Sequence, residues 1–365
     1  RPLCVGPERS ASGTMTLFTS VEALDAAKLE ELAALGLSGL RLVVTPLRAR
    51  AMGVHVDSDT GRATGVSLRV NGETPSELLR LSSSLGVAHA ARLEARAATD
   101  TEACALAMIR LSGLVPAVIA TATEPARVPR LSEALARQAI LTVDAEQVRA
   151  LGAGLDTGIE ITHVSDALVP LEEAGNARFM LFRESSGLLE HVAILIGERD
   201  TWPEAVPVRL HSACLTGDLF GSLRCDCGEQ LRGSLRSFAG NGGGVLLYLQ
   251  QEGRGIGLGN KLRAYALQEE GLDTVDADRV LGFGADERRY DAAVGILHHL
   301  GIRRVKLLTN NPRKVTALER SGIEVLEREP LHGTLNDHNL RYVRAKIQRE
   351  GHWLNDMLHG AVPGA

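Results

Sequence analysis

Residues 244–270 of this chain read GVLLYLQQEGRGIGLGNKLRAYALQEE and indicate its fold class. The apolar run at 244–249 is typical of a buried strand, and the glycine-rich loop at 251–259 leads into a helix around 260–270. The alternation continues with a helix predicted over 286–300, a strand over 304–309, a helix opened by Pro312 and a strand over 323–327. Strands that alternate with helices predict an α/β fold.

The first half is less regular but contains the same kinds of element. Predicted helices cover 21–37 and 102–112, predicted strands cover 41–45 and 115–120, and new strands begin near 178 and 190. The region at 150–165 has only a weak pattern. A chain of 365 residues is comfortable for two domains. We therefore predict two α/β domains, 1–165 and 166–365.

The composition limits the classes of function. Aromatic residues make up only 3%, the net charge is -5, and no block of lysine or arginine occurs, which predicts neither a nucleic-acid partner nor a membrane-surface partner. No apolar run reaches transmembrane length, and the first residues lack the apolar core of a signal peptide. Five cysteines, an odd number, argue against a disulfide framework, so we expect a cytoplasmic protein with reduced thiols.

Three of the cysteines lie close together in residues 208–231, VRLHSACLTGDLFGSLRCDCGEQL, at Cys214, Cys225 and Cys227. Thiolates are good zinc ligands, and three protein ligands would leave one position for water, as in a catalytic site. Two other readings stay open from the spacing alone. The cysteines could be buried thiols, or His211 could close a structural site.

Two loops of the second half have features of anion sites. Glu252 and Arg254, in the glycine-rich loop, could read a base edge and hold a phosphate, although the loop fits neither G-x-G-x-x-G nor a Walker motif. In residues 308–314, LTNNPRK, Asn311 can cap a helix, and this places Lys314 in the first helical turn. The helix dipole disfavours a cation there, and a bound anion would remove the conflict. The alternative is a solvated surface cation.

Two further segments, each taken alone, predict only a structural role. In residues 281–290, LGFGADERRY, Asp286 and Glu287 are suited to the opening of a helix. In residues 261–265, KLRAY, the spacing puts Lys261 and Tyr265 on one helical face.

Taken together and in this order, these motifs resemble GTP cyclohydrolase II, the enzyme that opens the guanine ring at the start of riboflavin synthesis. The resemblance runs from about 166 to 355, through HSACLTGD (211–218), SLRCDCG (222–228), QEGRGIGL (251–258), NKLRAYALQ (260–268), LGFGADER (281–288) and LLTNNP (307–312). It implies a GTP cyclohydrolase II-like α/β domain that opens the imidazole ring of GTP and releases formate and pyrophosphate.

Carried over residue by residue, the resemblance implies a complete site. The zinc ligands, for one Zn2+ per subunit, are Cys214, Cys225 and Cys227. The nucleotide-contact positions fall on Arg209, His211, Ser212, Gln230, Glu252, Gly253, Arg254, Thr274, Thr309 and Lys314. Asp286 matches the general acid/base, Tyr265 a tyrosine beside the reacting ring, and Arg288 the proposed nucleophile toward the α-phosphate. Because the pKa of a guanidinium exceeds about 12, we predict that Arg288 faces the phosphates and keep its covalent role as a hypothesis.

The implied chemistry is coherent. Water must attack C8 of guanine, and zinc lowers the pKa of water to about 7. Departure of pyrophosphate needs neutralisation of charge, by Lys314, Arg254 and Mg2+ bound with the triphosphate. The family also suggests a homodimer. Two departures leave other readings open, because Ala213 stands where many relatives have Glu and Gln250 where many have Arg. The alternatives are a paralogue that acts on a different nucleotide and a nucleotide-binding regulator without turnover.

The first half faintly resembles 3,4-dihydroxy-2-butanone 4-phosphate (DHBP) synthase, at 41–53, 54–67 and 100–103. That family needs an acidic loop and a His before Thr-Glu to bind Mg2+. The loop is absent here, and Asp100 holds the His position. Without these ligands a hard-cation site cannot form. We predict a degenerate, non-catalytic α/β domain with a packing or dimerisation role, and a bifunctional enzyme is the alternative.

Overall fold

The computed structural model describes residues 1–6, 13–55, 64–157 and 159–354. The described residues form two compact units. The first unit consists of Arg1–Asp156 with Gly259–Asp286, and the second consists of Thr157–Leu258 with Glu287–Ala365. Each unit contains one seven-stranded sheet with helices, so the predicted α/β class is confirmed.

The strands, in chain order, are β1 (Leu3–Gly6), β2 (Met15–Ser20), β3 (Arg41–Val44), β4 (Val66–Arg69), β5 (Ala95–Ala97), β6 (Ala117–Thr123), β7 (Leu141–Asp144), β8 (Ile161–Leu171), β9 (Gly175–Glu184), β10 (Glu190–Ile196), β11 (Val206–Ser212), β12 (Gly244–Leu249), β13 (Arg304–Leu308) and β14 (Glu324–Glu329). The sheet of the first unit has the order β5-β4-β3-β6-β2-β1-β7. The sheet of the second unit has the order β14-β13-β11-β12-β10-β9-β8.

The α-helices, in chain order, are α1 (Ala26–Leu35), α2 (Pro46–Ala51), α3 (Pro75–Ser83), α4 (Asp100–Leu111), α5 (Pro129–Ala136), α6 (Ala145–Thr157), α7 (Leu215–Asp218), α8 (Cys227–Gly240), α9 (Leu258–Glu269), α10 (Thr274–Val280), α11 (Asp291–His299), α12 (Pro312–Arg320) and α13 (Leu340–Glu350). None of these helices, within the parts of the chain described, combines the length and apolar character that a membrane span requires.

The central strands of both sheets have core clusters on their two faces, which explains the nearly continuous apolar sequences of these strands. Along β12, Val245, Leu247 and Leu249 pack into one core cluster, whereas Leu246 packs into the cluster on the opposite face. Successive side chains of a strand point to opposite faces, so a strand with two buried faces has no polar alternation. This arrangement makes residues 244–249 a strong strand signal.

The parallel part of the second sheet determines where a site can form. β11 pairs in parallel with β12 on one side and with β13 on the other, and β13 pairs in parallel with β14. The carboxyl ends of β11, β12 and β13 therefore lie at one edge. In open α/β sheets, ligands bind at this edge, where the chain changes direction across the sheet.

Three sequence-based elements differ from the structure. The helix predicted from 286 begins at Asp291, because residues 286–290 form an irregular loop. The helix predicted over 21–37 is a short 3-10 turn at Val21–Ala23 followed by α1, which ends at Leu35. A Cβ on Gly36 would lie 2.3 Å from Thr121 Oγ1, so only glycine fits directly after the helix. The weak region at 150–165 contains the end of α6 and the start of β8.

Residues 259–286 belong to the first unit, an association that the sequence did not predict. Asn260 Nδ2 donates to the carbonyl of Gly113 at 2.9 Å, and Thr45 Oγ1 donates to that of Gly282 at 2.8 Å. Arg48 is 1% exposed and donates to the carbonyls of Leu81, Ser84 and Val280 at 2.7–2.9 Å. The compact units thus divide the chain differently from the predicted domains 1–165 and 166–365, which stay a prediction about function.

Candidate functional site

The three cysteines of the 208–231 segment converge at the carboxyl edge of the second sheet. Cys214 precedes α7, and Cys227 begins α8. Their ligand atoms and that of Cys225 all lie within 4.8 Å of one another, and the Sγ atoms of Cys214 and Cys225 are 3.6 Å apart. In the parts of the chain described, this is the one such group of potential metal ligands. The donor set suits a soft or borderline metal such as zinc.

Gly217 forms the floor of this cysteine cluster. A Cβ at this position would lie 2.7 Å from Cys225 Sγ and 3.1 Å from Cys214 Sγ. Only glycine leaves that space to the sulfur atoms. The residues present therefore fit a metal ion held by three thiolates.

The thiols also influence one another's ionisation. Contact with Cys214, together with burial, raises the pKa of Cys225 to about 11, and contact with the other two thiols raises the pKa of Cys227. Three neighbouring thiolates repel one another, and a bound cation reverses this effect because it stabilises the deprotonated form. The cluster is thus suited to ionise with a metal rather than alone.

Asp218 links the cysteine cluster to the first strand of the site. Its carboxylate accepts hydrogen bonds from the backbone N–H of Cys214 at 2.9 Å and from the hydroxyl of Tyr248 at 2.9 Å. It also lies 3.0 Å from His211 Nε2. Asp218 therefore fixes both the position of one metal ligand and the orientation of the imidazole.

His211 is held as a neutral, oriented ring. Burial lowers its pKa, although Asp218 opposes the shift, and Tyr248 stacks on the ring at 5.5 Å between centroids. With Nε2–H directed at Asp218, Nδ1 is an acceptor, and Nδ1 has no hydrogen-bond partner among the residues described. Arg209 Nε likewise lacks a partner within the described ranges. These two buried atoms belong to residues predicted to contact the nucleotide.

A second carboxylate, Asp226, lies between the two closely spaced cysteines and connects them to Arg209. Gln230 Nε2 donates to Asp226 at 2.5 Å, and Gln230 Oε1 accepts from Arg209 at 2.7 Å. The other oxygen of Asp226 pairs with Lys346 of α13 at 3.1 Å. The turn that carries Cys225 and Cys227 is thus fixed from two sides.

The loop after β12 has an unusual backbone. Gly253 and Arg254 both adopt left-handed conformations, with φ of 61° and 62°. This conformation is rare for a non-glycine residue and costs about 1–3 kcal/mol. The carbonyl of Arg254 accepts from the N–H of Glu287 at 3.0 Å, and Glu252 Oε2 accepts from the N–H of Leu215 at 2.6 Å. The loop is therefore tied to α7 and to the segment that carries Arg288.

Gln251 also connects the loop after β12 to Ser212 and to Arg289. Gln251 Nε2 donates to Ser212 Oγ at 3.0 Å, and Gln251 Oε1 accepts from the N–H of Arg289 at 3.1 Å. The N–H of Gln250 donates to His191 Nδ1 at 3.1 Å. Gln251 thus joins the ends of two strands to the 286–290 loop.

The LTNNP segment spans the end of β13 and the start of α12. Asn311 caps α12 by accepting from the N–H of Arg313 at 2.9 Å, as predicted, and Thr309 Oγ1 accepts from the N–H of Asn311 at 3.0 Å. Lys314 is buried rather than solvated. Its Nζ donates to the carbonyl of Leu210 at 2.6 Å and lies 5.9 Å from the centre of the Tyr290 ring.

Arg254 and Arg288 approach one carboxylate at the end of α13. Arg254 Nη2 lies 2.5 Å from Glu350 Oε1, and Arg288 Nη2 lies 3.7 Å from Glu350 Oε2. All three side chains are largely buried. The structure therefore brings the two predicted phosphate-facing arginines together.

Three predicted site residues belong to the first unit and are described separately. Tyr265 is half-buried on α9, and its ring lies 5.8 Å from Lys261 Nζ, which confirms that the two side chains share a helical face. Thr274 is the first residue of α10, which Asp273 caps. Asp286 is half-buried in the irregular loop that precedes α11.

The first unit uses its acidic residues for structure at the DHBP synthase-like motif. Asp100 pairs with Arg149. Glu102 binds Arg96 at 2.7 Å and accepts from the N–H of Thr99 at 2.8 Å in a capping box. Residues 56–63, inside the 54–67 motif, lie outside the described residues.

Sequence reasoning missed five residues that organise this site: Asp218, Asp226, Tyr248, Lys346 and Glu350. The two aspartates had a signal, because each lies inside a quoted motif that contains a cysteine ligand. Lys346 and Glu350 had none, since they lie far along the chain from their partners.

Comparison with known sequences places the second half of the chain in a known family. The sequence model of the GTP cyclohydrolase II family matches residues 162–330. A protein named GTP cyclohydrolase-2 from Azotobacter vinelandii is 56% identical over 175 residues, which are 47% of this chain and 83% of that relative. The chain belongs to the GTP cyclohydrolase II family.

Other relatives extend beyond the family's matched region. GTP cyclohydrolase-2 from Xylella fastidiosa is 46% identical over 254 residues, 70% of this chain, and the match spans only 62% of that relative. "Riboflavin biosynthesis protein RibBA" from Parabacteroides distasonis is 39% identical over 331 residues, 86% of this chain and 80% of the relative. A match of that length includes part of the first unit.

A solved two-domain 3,4-dihydroxy-2-butanone 4-phosphate synthase from A. baumannii covers 92% of this chain and 96% of its own, at 14% identity. Its TM-score of 0.31 is too low to support a conclusion about the fold.

Proposed function

We propose that this chain is a zinc-dependent GTP cyclohydrolase II that opens the imidazole ring of GTP and releases formate and pyrophosphate, in the first step of riboflavin synthesis. One observation carries the proposal. A cluster of three cysteines, fitted by Gly217 to hold a metal, lies at the same edge of one sheet as the strand ends that carry Arg254 and Lys314.

In this proposal Cys214, Cys225 and Cys227 hold one Zn2+. When bound, zinc would supply a water of lowered pKa for attack at C8 of the guanine ring. Asp218 and Asp226 keep the cysteines in place through the contacts described above. His211 Nδ1, oriented by Asp218, would accept a hydrogen bond from the substrate.

The buried cations provide the phosphate contacts. Arg254, Arg288 and Lys314 would neutralise the triphosphate, aided by Mg2+ bound with the nucleotide. The N-terminus of α12, beside Thr309, adds backbone N–H groups that favour an anion. Asp286 is proposed as the general acid/base and Tyr265 as the residue beside the ring. A covalent bond from Arg288 to the α-phosphate stays a hypothesis.

Discrimination against adenine requires an acceptor for N1–H and the 2-amino group of guanine, and Glu252 is our proposal for it. Both of its oxygens already accept a backbone hydrogen bond, from Leu215 at 2.6 Å and from Gly253 at 2.9 Å. Each carboxylate oxygen has two lone pairs, so a fixed Glu252 can still accept from a base. The remaining nucleotide contacts fall to Arg209, Ser212, Gln230, Gly253, Thr274 and Thr309.

Product analysis tests the function directly. Metal-loaded protein mixed with GTP and Mg2+ should release formate and pyrophosphate together, and Cys225→Ser should abolish ring opening. Cys104→Ala, at a buried thiol of the first unit, is the matched control and should retain activity. Wild-type turnover in the Cys225→Ser protein would refute the zinc role.

The same assay separates the alternatives. Ala213 is buried directly before Cys214, so no carboxylate is available there, and this favours the paralogue as second candidate. Opening of a different purine nucleotide, with GTP left intact, would establish that paralogue. Binding of GTP without any formate would establish a non-catalytic regulator.

We further propose that residues 1–165 form a non-catalytic domain, that the protein is a homodimer, and that it works in the cytoplasm without a nucleic-acid or membrane partner. The use of Glu102 in a capping box and an ion pair supports the first point. Conversion of ribulose 5-phosphate would contradict it. Sedimentation equilibrium tests the dimer.

A further inference from the structure

Glu350 occupies a position that is unfavourable for a carboxylate in two respects. It is the last residue of α13, where the helix dipole presents its negative end. Its side chain is 5% exposed, and a buried carboxylate without compensation is costly. Neither the helix dipole nor solvation favours a carboxylate at this position, so its neighbours must compensate for it.

Those neighbours are the two arginines of the proposed phosphate site. Arg254 Nη2 is 2.5 Å from one carboxylate oxygen, and Arg288 Nη2 is 3.7 Å from the other. His352 Nε2 also lies 3.4 Å away, and the ring of Tyr342 lies 5.6 Å from the guanidinium of Arg254. An anion already lies between the groups that would bind the substrate's anion.

The carboxylate is held by charge rather than by aligned hydrogen bonds. Burial would raise the pKa of Glu350, but His352, Arg254 and Arg288 outweigh burial and hold the pKa below its usual value. Within the described ranges, neither oxygen of Glu350 has a hydrogen bond of good geometry. A phosphate chain has more charge and more acceptor oxygens, and it can meet two guanidinium groups with aligned bonds.

The segment that carries Glu350 is anchored on both sides of it. Lys346 pairs with Asp226, and the N–H of Trp353 donates to the carbonyl of Asn310 at 2.9 Å. Arg328 stacks on the ring of Trp353 at 4.9 Å. α13 and the residues that follow it are therefore held on both sides of Glu350, so a displacement at this position would involve its side chain rather than the helix.

We propose that Glu350 is an affinity-determining residue that takes the place of a substrate phosphate between Arg254 and Arg288 and must be displaced when the nucleotide binds. The inference rests on the proposed function only in taking the anion to be a phosphate chain. It adds that a carboxylate of the chain itself, Glu350, competes with the substrate's phosphate for the two arginines. The opposite possibility is that Glu350 orients the two arginines and so strengthens anion binding.

Glu350→Gln tests this directly, because it keeps the shape and removes the charge. The probe is inorganic pyrophosphate, and its binding to the full-length, zinc-loaded protein is measured by calorimetry. We expect the dissociation constant to fall by about tenfold relative to wild type. The matched control is Glu173→Gln, which removes the same charge from an exposed ion pair with Arg236 and should leave the constant unchanged.

Each other outcome overturns the proposal. Equal affinity would mean no competition, weaker binding by Glu350→Gln would mean that Glu350 orients the arginines, and no binding by either protein would mean that the arginines form no anion site. Formate release from GTP, measured separately, reports on the proposed function, so the two failures are distinguishable. Should Glu350→Gln fail to fold by circular dichroism, Glu350→Asp, with a retracted carboxylate, should still bind pyrophosphate more tightly than wild type.

A second readout follows the displacement itself. The chain has two tryptophans, Trp202 and Trp353, so Trp202→Phe leaves Trp353 as the sole tryptophan reporter near Glu350. Pyrophosphate should change the Trp353 emission when Glu350 is present. The change should be smaller when Trp202→Phe is combined with Glu350→Gln, because no carboxylate then has to be displaced. Identical changes in both proteins would contradict the displacement.

Discussion

Lys346 and Asp226 form an ion pair with 3.1 Å between Nζ and Oδ1, across 120 residues of sequence. The pair joins α13 to the turn between two metal-ligand cysteines. The Asp226 side chain is 0% exposed. Burial alone would raise the pKa of Asp226, but Lys346, together with a backbone N–H and Arg209, outweighs burial and holds it below its usual value.

Lys346→Met should therefore destabilise the protein by about 3–5 kcal/mol, because Asp226 would stay buried without its cation. Zinc retention against a chelator should also fall, because the turn that carries Cys225 and Cys227 loses the contact of Asp226 with Lys346. Urea unfolding and metal analysis measure the two effects. Lys306→Met is the control, since Lys306 forms exposed ion pairs with Glu327 and Glu329 that are worth about 1 kcal/mol or less. Full zinc retention in Lys346→Met would show that the pair does not position the cysteines.

Gly217→Ala should expel the metal without removing a ligand. The new Cβ would lie 2.7 Å from Cys225 Sγ, so the thiols must move apart. We expect less than one zinc per chain by elemental analysis. Gly233→Ala is the control, because nothing lies within 4 Å of its added Cβ and alanine stabilises a helix by about 1 kcal/mol. Normal zinc content in Gly217→Ala would show that the cysteine cluster tolerates a methyl group.

The Glu102 carboxyl should contribute a pH-dependent part of the stability of the first unit. Burial would raise its pKa, but Arg96, together with the N–H of Thr99 and the hydroxyl of Ser67, outweighs burial and holds the pKa below the usual 4.5. A lowered pKa in the folded state means that the contribution is fully present above pH 4.5 and is lost as the pH falls through the folded value.

Glu102→Gln should thus be destabilised by about 1–3 kcal/mol at neutral pH, and its difference from wild type should shrink toward pH 3. Unfolding curves at several pH values measure the change. Glu133→Gln, in an exposed pair with Arg137, should differ by less than about 0.5 kcal/mol at every pH. A pH-independent deficit in Glu102→Gln would assign its effect to packing.

Arg48→Met should destabilise the first unit by about 3 kcal/mol or more, because buried carbonyls would lose their donors. Since one of them belongs to Val280, amide hydrogen exchange should rise in α10. Arg80→Met, at an exposed position of α3, is the matched control and should change stability by less than about 0.5 kcal/mol. Unchanged exchange in α10 would show that Arg48 does not hold residues 259–286 in place.

Local patterns predicted much of this fold. The strand at 244–249 and the Asn311 cap before Pro312 depend on neighbours in sequence, and both are confirmed. The predicted start of α11 at residue 286 was wrong. Asp286 and Glu287 are typical of the first turn of a helix, but the N–H of Glu287 donates to the carbonyl of Arg254. A tertiary hydrogen bond replaced a local one.

In the site, too, features that depend on local sequence were predicted, and features that depend on tertiary contacts were not. The cysteines were found because zinc ligands have recognisable spacing, and the structure brings their sulfur atoms together. Lys314 was found, but its contact with the carbonyl of Leu210 depends on how the strands are ordered. Glu350 could not be found, since its position at a helix end has meaning only beside Arg254.

The left-handed backbone of Arg254 affects how any substitution at that position must be interpreted. Alanine there removes the guanidinium and also keeps a Cβ in a conformation that glycine adopts freely. Glycine removes the guanidinium and relieves the backbone. Comparing the two replacements separates the conformational cost of this residue from its electrostatic contribution, which alanine scanning alone would merge into one value.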